Sequence, residues 1–192
     1  MSPASSSVFI GLGSNIDPEK NLRAAATQLK AQFPNIRFSS VFSSAPLERI
    51  DQPTFLNAVA RIETDQSPTA LKSILESIEF SLKKSPPFRF GPRTIDLDIL
   101  LYGNLVLPDA KTWMTKKRSA ISRERRTSPE AGDQRSEILT IPHLKMDKRR
   151  FVLEPLLELI DPATIHPVSG KPLAAFLQST LDQTCTRTAI VL

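Results

Sequence analysis

Two acidic residues in the segment RTIDLDILLYG have the spacing that places them together on one face of a β-strand. Ile95, Leu97 and Ile99 occupy the alternate positions and predict a buried apolar face. Asp96 and Asp98 then lie side by side on the opposite face. Two neighbouring carboxyl groups resist simultaneous ionisation unless a proton or a cation lies between them. This pair therefore indicates either a Mg²⁺ site, whose ligands are oxygens, or a solvent-exposed acidic face.

Basic residues precede this strand and favour the metal interpretation. The stretch FRFGPR supplies Arg89 and Arg93, and the same loop begins with Lys83 and Lys84. Guanidinium groups bind phosphate oxygens in a fork, so arginines beside a Mg²⁺ site suit a polyphosphate. The combination predicts metal-dependent phosphate chemistry, and a structural Arg–Asp pair is the alternative.

Two other polar segments carry weaker signals. The segment IPHLKMDKRRFVLEPL holds His143 and four Lys/Arg residues ahead of Phe151. A single histidine is more often structural than catalytic, and a basic run that opens a helix is usually a solvated face. The turn in IGLGSN needs no ligand, because Gly, Ser and Asn are common turn residues.

Composition indicates one globular domain, because 192 residues with 40% hydrophobic and 23% charged residues are typical of a single packed unit. The one cysteine, Cys185, excludes an internal disulfide framework. The N-terminal residues do not resemble a signal peptide and no apolar run is long enough for a membrane span, so we expect a cytoplasmic protein. Residues 111–137 contain eight Lys/Arg and four Asp/Glu, so most of the +5 net charge belongs to this segment rather than to a basic surface for nucleic acid.

Apolar periodicity predicts the element order βαββαβ. The strands are SVFIGLG, IRFSSVFSS, FLNAVARIET and the Asp-x-Asp strand, and the helices begin at Asp17–Pro18 and Ser67–Pro68, with Asp17 as an N-cap. This order is typical of the ferredoxin-like α+β fold, with helices on one face of an antiparallel sheet and the other face open. The segments FVLEPLLELI and PLAAFLQSTL predict two C-terminal helices, and TRTAIVL predicts a last strand.

A polar insertion at about 108–137 interrupts this pattern. Residues 111–137 are rich in Ser, Thr and charge and lack apolar periodicity, so we expect a flexible excursion between ordered segments. Trp113 is the residue there that we expect to find a packing surface.

The blocks IGLGSN, DQPTFLNAV, FGPRTIDLDILLYG and IPHLKMDKRRFVLEPL together resemble the 6-hydroxymethyl-7,8-dihydropterin pyrophosphokinases of folate biosynthesis. They occur in the family's order and cover nearly the whole chain outside 111–137. The resemblance implies the ferredoxin-like fold and a single pyrophosphokinase domain over 1–192. It also implies transfer of the β,γ-pyrophosphoryl group of ATP to the hydroxymethyl group of the pterin, with release of AMP. The expected protein is a monomer with ATP and a pterin as partners, without nucleic acid or membrane.

The same resemblance implies a role for each matched position. Two Mg²⁺ ions would be held by Asp96 and Asp98. The catalytic residues would be Arg93, Asp96, Asp98 and Lys84. The ATP contacts would be Glu79, Arg89, Arg93, Ile99, Thr140, His143 and Arg149. The pterin contacts would be Ser44, Leu47, Phe55, Asn57, Asp96 and Phe151. Phe55 and Phe151 would enclose the pterin ring and Asn57 would bind its edge, since aromatic rings stack on a planar heterocycle while amides bind its rim.

This chain departs from the family pattern in the basic loop. Lysines occupy the start of SLKKSPPFRFGPR, Ser85 stands where a second arginine is common, and Phe90 replaces a common tryptophan. Lysine lacks the bidentate fork of arginine, so weaker closure over ATP or a catalytically impaired relative are alternatives.

Other functional classes fit less well. A nucleotidyltransferase keeps its Gly-Ser and acidic pair close in sequence, whereas Ser14 and Asp96 are 82 residues apart. A glycosyltransferase fold would need a longer chain. An RNA-binding ferredoxin-like module would carry aromatic and glycine motifs on its central strands, and the acidic pair would repel phosphates without metal.

Overall fold

The computed structural model describes residues 5–47, 51–84, 91–124 and 139–192. Its strands are β1 (Ser6–Ser14), β2 (Arg37–Phe38), β3 (Phe42–Ser44), β4 (Phe55–Thr64), β5 (Asp96–Tyr102) and β6 (Cys185–Arg187). Its α-helices are α1 (Pro18–Gln32), α2 (Pro68–Ser81), α3 (Ala110–Glu124) and α4 (Arg150–Leu157), and 3₁₀ helices cover Met146–Lys148 and Leu173–Thr180.

The sheet has the strand order β5-β1-β4-β3-β6, and each neighbouring pair is antiparallel. With α1 after β1 and α2 after β4, this arrangement confirms the predicted ferredoxin-like α+β fold. The predicted second strand is divided into β2, which pairs with β4, and β3. The division occurs where the hydroxyl of Ser39, rather than a carbonyl, accepts the N–H of Val59 at 2.9 Å.

Helices α1 and α2 cover one face of the sheet through apolar residues at helical spacing, confirming the predicted stripes. Helix α2 begins at Ser67–Pro68 as predicted, and the Ser67 side chain caps it by accepting the N–H of Ala70 at 3.2 Å. Asp17 is the N-cap residue of α1 as predicted, but its side chain makes no capping hydrogen bond. Its φ of 41° is left-handed, whereas a capping side chain needs an extended backbone.

The second face of the sheet is covered by C-terminal elements, so the expectation of an open face is wrong for this part of the sheet. Its apolar cluster joins sheet residues to α4 and the 3₁₀ helices, and consists of Phe9, Val59, Leu100, Leu101, Met146, Val152, Leu156, Leu159 and Leu173. The predicted last helix is a 3₁₀ helix, and the predicted last strand is reduced to three residues. Each helix in the described ranges is too short or too polar to span a membrane.

Helix α3 corrects the prediction that residues 111–137 form an irregular excursion. Asp109 caps its first turn by accepting the N–H of Thr112 at 2.9 Å. Trp113 is only 3% exposed, and its indole N–H donates to the carbonyl of Pro142 at 2.6 Å, so the expected packing surface for this side chain is confirmed. Helices in proteins gain most of their stability from such tertiary packing, which a search for apolar periodicity does not detect. Residues 125–137 of the predicted excursion lie outside the described residues.

Candidate active site

The acidic pair lies on strand β5, opposite two glycines of β1. The register of the β1–β5 ladder pairs Asp96 with Gly13 and Asp98 with Gly11. Leu97, between the two aspartates, is fully buried against the α1–α2 side. The predicted alternation of this strand is therefore confirmed, and both carboxylates project from the side of the sheet that α4 covers.

Both oxygens of the Asp96 carboxylate are ion-paired. Lys84 Nζ lies 2.6 Å from Oδ1, and Arg93 Nη1 lies 2.7 Å from Oδ2. The same Lys84 Nζ lies 2.6 Å from Oε1 of Glu79, which also accepts the backbone N–H of Leu97 at 2.6 Å. Glu79 on α2 therefore connects the helix, the start of β5 and the ammonium group.

This arrangement determines the charges at the start of β5. Burial raises the pKa of Asp96, but Lys84 and Arg93 outweigh burial and hold that pKa at about 2. Burial raises the pKa of Glu79 in spite of Lys84 and the Leu97 N–H. Burial lowers the pKa of Lys84, but Asp96 and Glu79 raise it above its ordinary value. Asp96 and Lys84 are therefore both charged at neutral pH.

Asp98 has a more open environment than Asp96. Its side chain is 39% exposed, and its Oδ2 lies 3.9 Å from Nε2 of His143. Burial lowers the pKa of His143, and Arg149 lowers it further, while Asp98 acts in the opposite direction. His143 is therefore neutral at pH 7 and its Nδ1 accepts the N–H of Lys145 at 3.4 Å. The guanidinium of Arg149 lies 5.7 Å from the ring centre of Phe151.

The turn after β1 fixes the segment that leads into β5. Asn15 Oδ1 accepts the N–H of Arg93 at 2.8 Å, and the N–H of Asn15 donates to the carbonyl of Arg93 at 3.2 Å. The hydroxyl of Ser14 donates to the carbonyl of Thr94. Ser14 and Asn15 are both buried, and sequence reasoning missed their role. The sequence signal for this turn was the Gly-Ser-Asn segment at the end of the first predicted strand.

A row of paired residues crosses the sheet from the acidic strand to Asn57. Asp96, Gly13 and Asn57 are successive register partners on β5, β1 and β4, so they share one face of the sheet. Asn57 is 5% exposed, and its Nδ2 donates to Oγ of Ser44 at 3.0 Å. A Cβ atom on Gly13 would lie 3.4 Å from Oδ1 of Asn57. The row thus contains a carboxylate, a position without a side chain and a buried amide.

Residues 9–161 match the family model of 7,8-dihydro-6-hydroxymethylpterin-pyrophosphokinase (HPPK). The chain belongs to the HPPK family. It is 36% identical over 154 residues to the 2-amino-4-hydroxy-6-hydroxymethyldihydropteridine pyrophosphokinase of Haemophilus influenzae, with 79% of each chain covered. The enzyme of the same name from Aquifex aeolicus is 31% identical over 180 residues, which cover 93% of this chain and 95% of that protein.

Longer relatives also match. The folic acid synthesis protein fol1 of Schizosaccharomyces pombe is 34% identical over 178 residues, and the chain spans 20% of its length. A solved HPPK-DHPS in complex with substrates superposes with a TM-score of 0.60 at 14% identity, covering 92% of this chain and 43% of that one. Wild-type HPPK-DHPS of Plasmodium falciparum gives a TM-score of 0.58 at 13% identity, covering 91% of this chain and 44% of that one. These structures establish the shared fold.

The structure brings together Ser44, Phe55 and Asn57, three of the residues that the HPPK resemblance places at the pterin. Phe55 pairs with Ser44 across the β3–β4 ladder, next to Asn57 on the same strand. Phe151 lies in the first turn of α4 and is half-buried. Among the described residues, the close ring pairs both involve His166, so Phe55 and Phe151 are not stacked on each other. Leu47 is 42% exposed.

Two of the predicted ATP contacts, Glu79 and Ile99, have buried side chains. Glu79 is buried, and its Oε1 is bound to Lys84 and to the Leu97 N–H, so it holds Lys84 beside Asp96. The side chain of Ile99 packs in the apolar cluster on the α1–α2 side, so only its backbone is next to Asp98. Arg89 lies outside the described residues. Thr140 lies beside α3, with its hydroxyl 3.3 Å from Lys116 Nζ.

The donor set of the acidic face suits Mg²⁺. The described residues contain no group of three or more His, Cys, Asp or Glu side chains that would enclose a metal. Asp96 and Asp98 supply two carboxylates from one face of a strand, and Asp96 is ionised. Mg²⁺ prefers a site of this kind, because it binds through one or two carboxylates and keeps positions for water and substrate phosphates.

Proposed function

We propose that the chain transfers the pyrophosphoryl group of ATP to 6-hydroxymethyl-7,8-dihydropterin and releases AMP. The observation that carries this proposal is the paired, ionised Asp96, which shares a sheet face with Asp98 and Asn57 in a chain of the HPPK family. In the reaction, the hydroxymethyl oxygen forms a bond to the β-phosphorus of ATP. The bond between the β-phosphorus and the oxygen of the α-phosphate breaks, AMP leaves with that oxygen, and the hydroxyl proton is lost to solvent.

The protein contributes charge and position to this transfer. Asp96 and Asp98 would hold two Mg²⁺ ions, which supply charge neutralisation of the triphosphate when bound. Lys84 and Arg93 lie beside Asp96, and their cationic groups would bind phosphate oxygens. His143, neutral at pH 7, is placed beside Asp98. Phosphoryl transfer depends mostly on such positioning and electrostatic stabilisation.

The residues around Asn57 form the proposed pterin site. Phe55 and Phe151 would contact the two faces of the heterocycle, and the Asn57 amide would bind its polar edge near Ser44 and Leu47. The buried Asn57–Ser44 hydrogen bond fixes the amide before a ligand arrives, which lowers the entropy cost of binding. The nucleotide would lie toward Thr140, His143 and Arg149. We further propose that the enzyme acts as a cytoplasmic monomer.

The experiment is a chromatographic assay of nucleotides with ATP, Mg²⁺ and the pterin. The proposal predicts AMP that requires the pterin and disappears with EDTA. Formation of ADP would instead indicate a simple kinase, and release of free pyrophosphate would indicate a nucleotidyltransferase. Either result would contradict the proposal.

A further inference from the structure

Lys84 occupies the position of a bridging cation between two carboxylates. Its Nζ lies at 2.6 Å from both Glu79 Oε1 and Asp96 Oδ1, and its side chain is 23% exposed. Glu79 is fixed on α2 and by the Leu97 N–H, so the ammonium is bound at a defined point and not at a mobile surface pair. An ammonium group between two carboxylates supplies the positive charge that a bound metal ion would supply there.

The carboxylates of Asp96 and Asp98 therefore differ in how readily a metal ion can reach them. Asp96 already has a protein cation on each oxygen, Lys84 on Oδ1 and Arg93 on Oδ2. Asp98 is 39% exposed, and its Oδ2 lies 3.9 Å from Nε2 of His143. A Mg²⁺ ion binds carboxylate oxygen at roughly 2.1 Å, so it cannot share Oδ1 with an ammonium at hydrogen-bond distance without strong repulsion.

We propose that Lys84 is a resident counter-cation that competes with divalent metal for Asp96 until a triphosphate supplies new partners for its ammonium group. This inference rests on the proposed function and assigns Lys84 a role in the order of binding. Metal alone binds Asp96 weakly, because it must displace the ammonium from a charged partner. Nucleotide phosphates then accept the released ammonium, so metal and nucleotide bind cooperatively.

The backbone before Lys84 fixes the Cα atom of this residue, while the ammonium group at the end of the side chain can move. The N–H of Lys84 donates to the carbonyl of Glu79 at 3.0 Å, after Lys83 with a left-handed φ of 59°. This turn fixes the Cα atom at the end of α2. The flexible four-carbon stem of lysine then lets the ammonium exchange Asp96 for a nearby phosphate. Arg93 is less free, because its guanidinium also donates to the carbonyl of Gly91 at 3.3 Å.

The test compares metal binding without nucleotide in a common background. The background variant Glu79→Gln keeps an acceptor for the Leu97 N–H and retains Lys84. The double variant Glu79→Gln/Lys84→Met differs from it only by loss of the ammonium group, and it leaves no unpaired carboxylate at position 79. Free Mn²⁺ is measured by electron paramagnetic resonance during titration. We expect the double variant to bind Mn²⁺ at least about ten-fold more tightly than Glu79→Gln, because the repulsion between the metal ion and a neighbouring unit charge is removed.

Two controls separate this effect from general charge and from misfolding. Lys83→Met removes the same charge from the adjacent, exposed side chain and is expected to change Mn²⁺ affinity less than two-fold. Lys84→Gln, which keeps a donor for Glu79, provides a second removal of the ammonium and is expected to tighten Mn²⁺ binding as the double variant does. A non-hydrolysable ATP analogue should increase Mn²⁺ affinity more in the wild type than in either Lys84 variant.

Unchanged or weaker Mn²⁺ binding in the Lys84 variants would overturn the inference. An equal gain in Lys83→Met would also overturn it, because the effect would then be general electrostatics. These measurements do not depend on turnover. A wild-type protein that forms no AMP would refute the proposed function, whereas its Mn²⁺ titrations would still report on Lys84.

Discussion

Asp96 lies directly opposite Gly13 in the β1–β5 ladder, so the ion-paired carboxylate stands beside a strand position that has no side chain. On the other side of Gly13 lies Asn57, whose Oδ1 would be 3.4 Å from an added Cβ atom. Such a distance is an ordinary van der Waals contact. The glycine therefore keeps space between the carboxylate and the amide without being required by packing.

Gly13→Ala is expected to fold and to weaken pterin binding selectively. The added methyl group would occupy the space between Asp96 and Asn57 where the proposed heterocycle lies. We expect the KM for the pterin to rise by about ten-fold or more, with less than a two-fold change in the KM for ATP. Steady-state kinetics with each substrate varied in turn provides the measurement. An equal rise in both KM values would contradict a specific role in the pterin site.

Asp98→Asn is expected to reduce turnover by at least about a hundred-fold while leaving stability nearly unchanged. The side chain is 39% exposed, so its charge contributes little to folding, but it is half of the proposed metal donor set. Turnover is measured as AMP formation and stability by urea unfolding. Near-normal turnover in Mg²⁺ would show that Asp98 is not a metal ligand.

Trp113→Ala is expected to lower the free energy of unfolding by about 3–5 kcal/mol. The indole is almost fully buried, its ring centre lies 5.6 Å from that of His166, and its N–H donates to the carbonyl of Pro142. Urea unfolding monitored by circular dichroism provides the measurement. Met114→Ala, on the exposed side of the same helix, is the control and should cost less than about 1 kcal/mol. A Trp113→Ala loss as small as that of Met114→Ala would show that α3 is not part of the folded unit.

Lys83→Gly is expected to stabilise the protein by roughly 0.5–1 kcal/mol. Lys83 has a φ of 59°, where a residue with a side chain is strained by about 1–2 kcal/mol. Glycine relieves this strain, but it also stabilises the unfolded state through greater backbone freedom, which offsets part of the effect. Lys83→Ala removes the same charge but keeps the strained backbone, so it should give no stabilisation. Equal stability of the two variants would argue against left-handed geometry at this position.

The two histidines are expected to titrate below their ordinary pKa of 6.5. Burial lowers the pKa of both His143 and His166 in the folded state, so the unfolded chain binds protons more readily near pH 6. Stability should therefore fall as pH decreases through and below 6.5. Nuclear magnetic resonance titration of the imidazole signals measures each pKa. A pKa above 6.5 for His143 would indicate that the charge of Asp98 outweighs burial.

The sheet and its acidic face could be predicted because they depend on local pattern. The alternation around Asp96 and Asp98 defines which side of β5 is buried, and the apolar stripes of α1 and α2 define the rest of the βαββαβ order. Helix α3 could not be predicted in this way. Its stability comes from Trp113 and Lys117, which contact residues about thirty positions later in the chain, including the carbonyl of Leu144 and the Asp147 carboxylate.

The sequence predicts only those site residues whose side-chain chemistry is informative without knowledge of their neighbours in space. Asp96, Asp98 and Arg93 carry charge in an informative order, and the structure places them together. The role of Glu79 as a partner of Lys84 depends on how the end of α2 meets β5, which no sequence pattern contains. The contribution of Gly13 depends on strand register, and its signal was the alternate-residue spacing of Gly11 and Gly13 on β1.

The most direct test of the central claim is a stoichiometric product analysis with purified protein, ATP, Mg²⁺ and 6-hydroxymethyl-7,8-dihydropterin. Mass spectrometry identifies the pterin product and chromatography quantifies the nucleotides. Pyrophosphoryl transfer would give equal amounts of AMP and pterin diphosphate, no pterin monophosphate at any time, and loss of both products in Asp98→Asn. Formation of ADP with pterin monophosphate would contradict pyrophosphoryl transfer by this site.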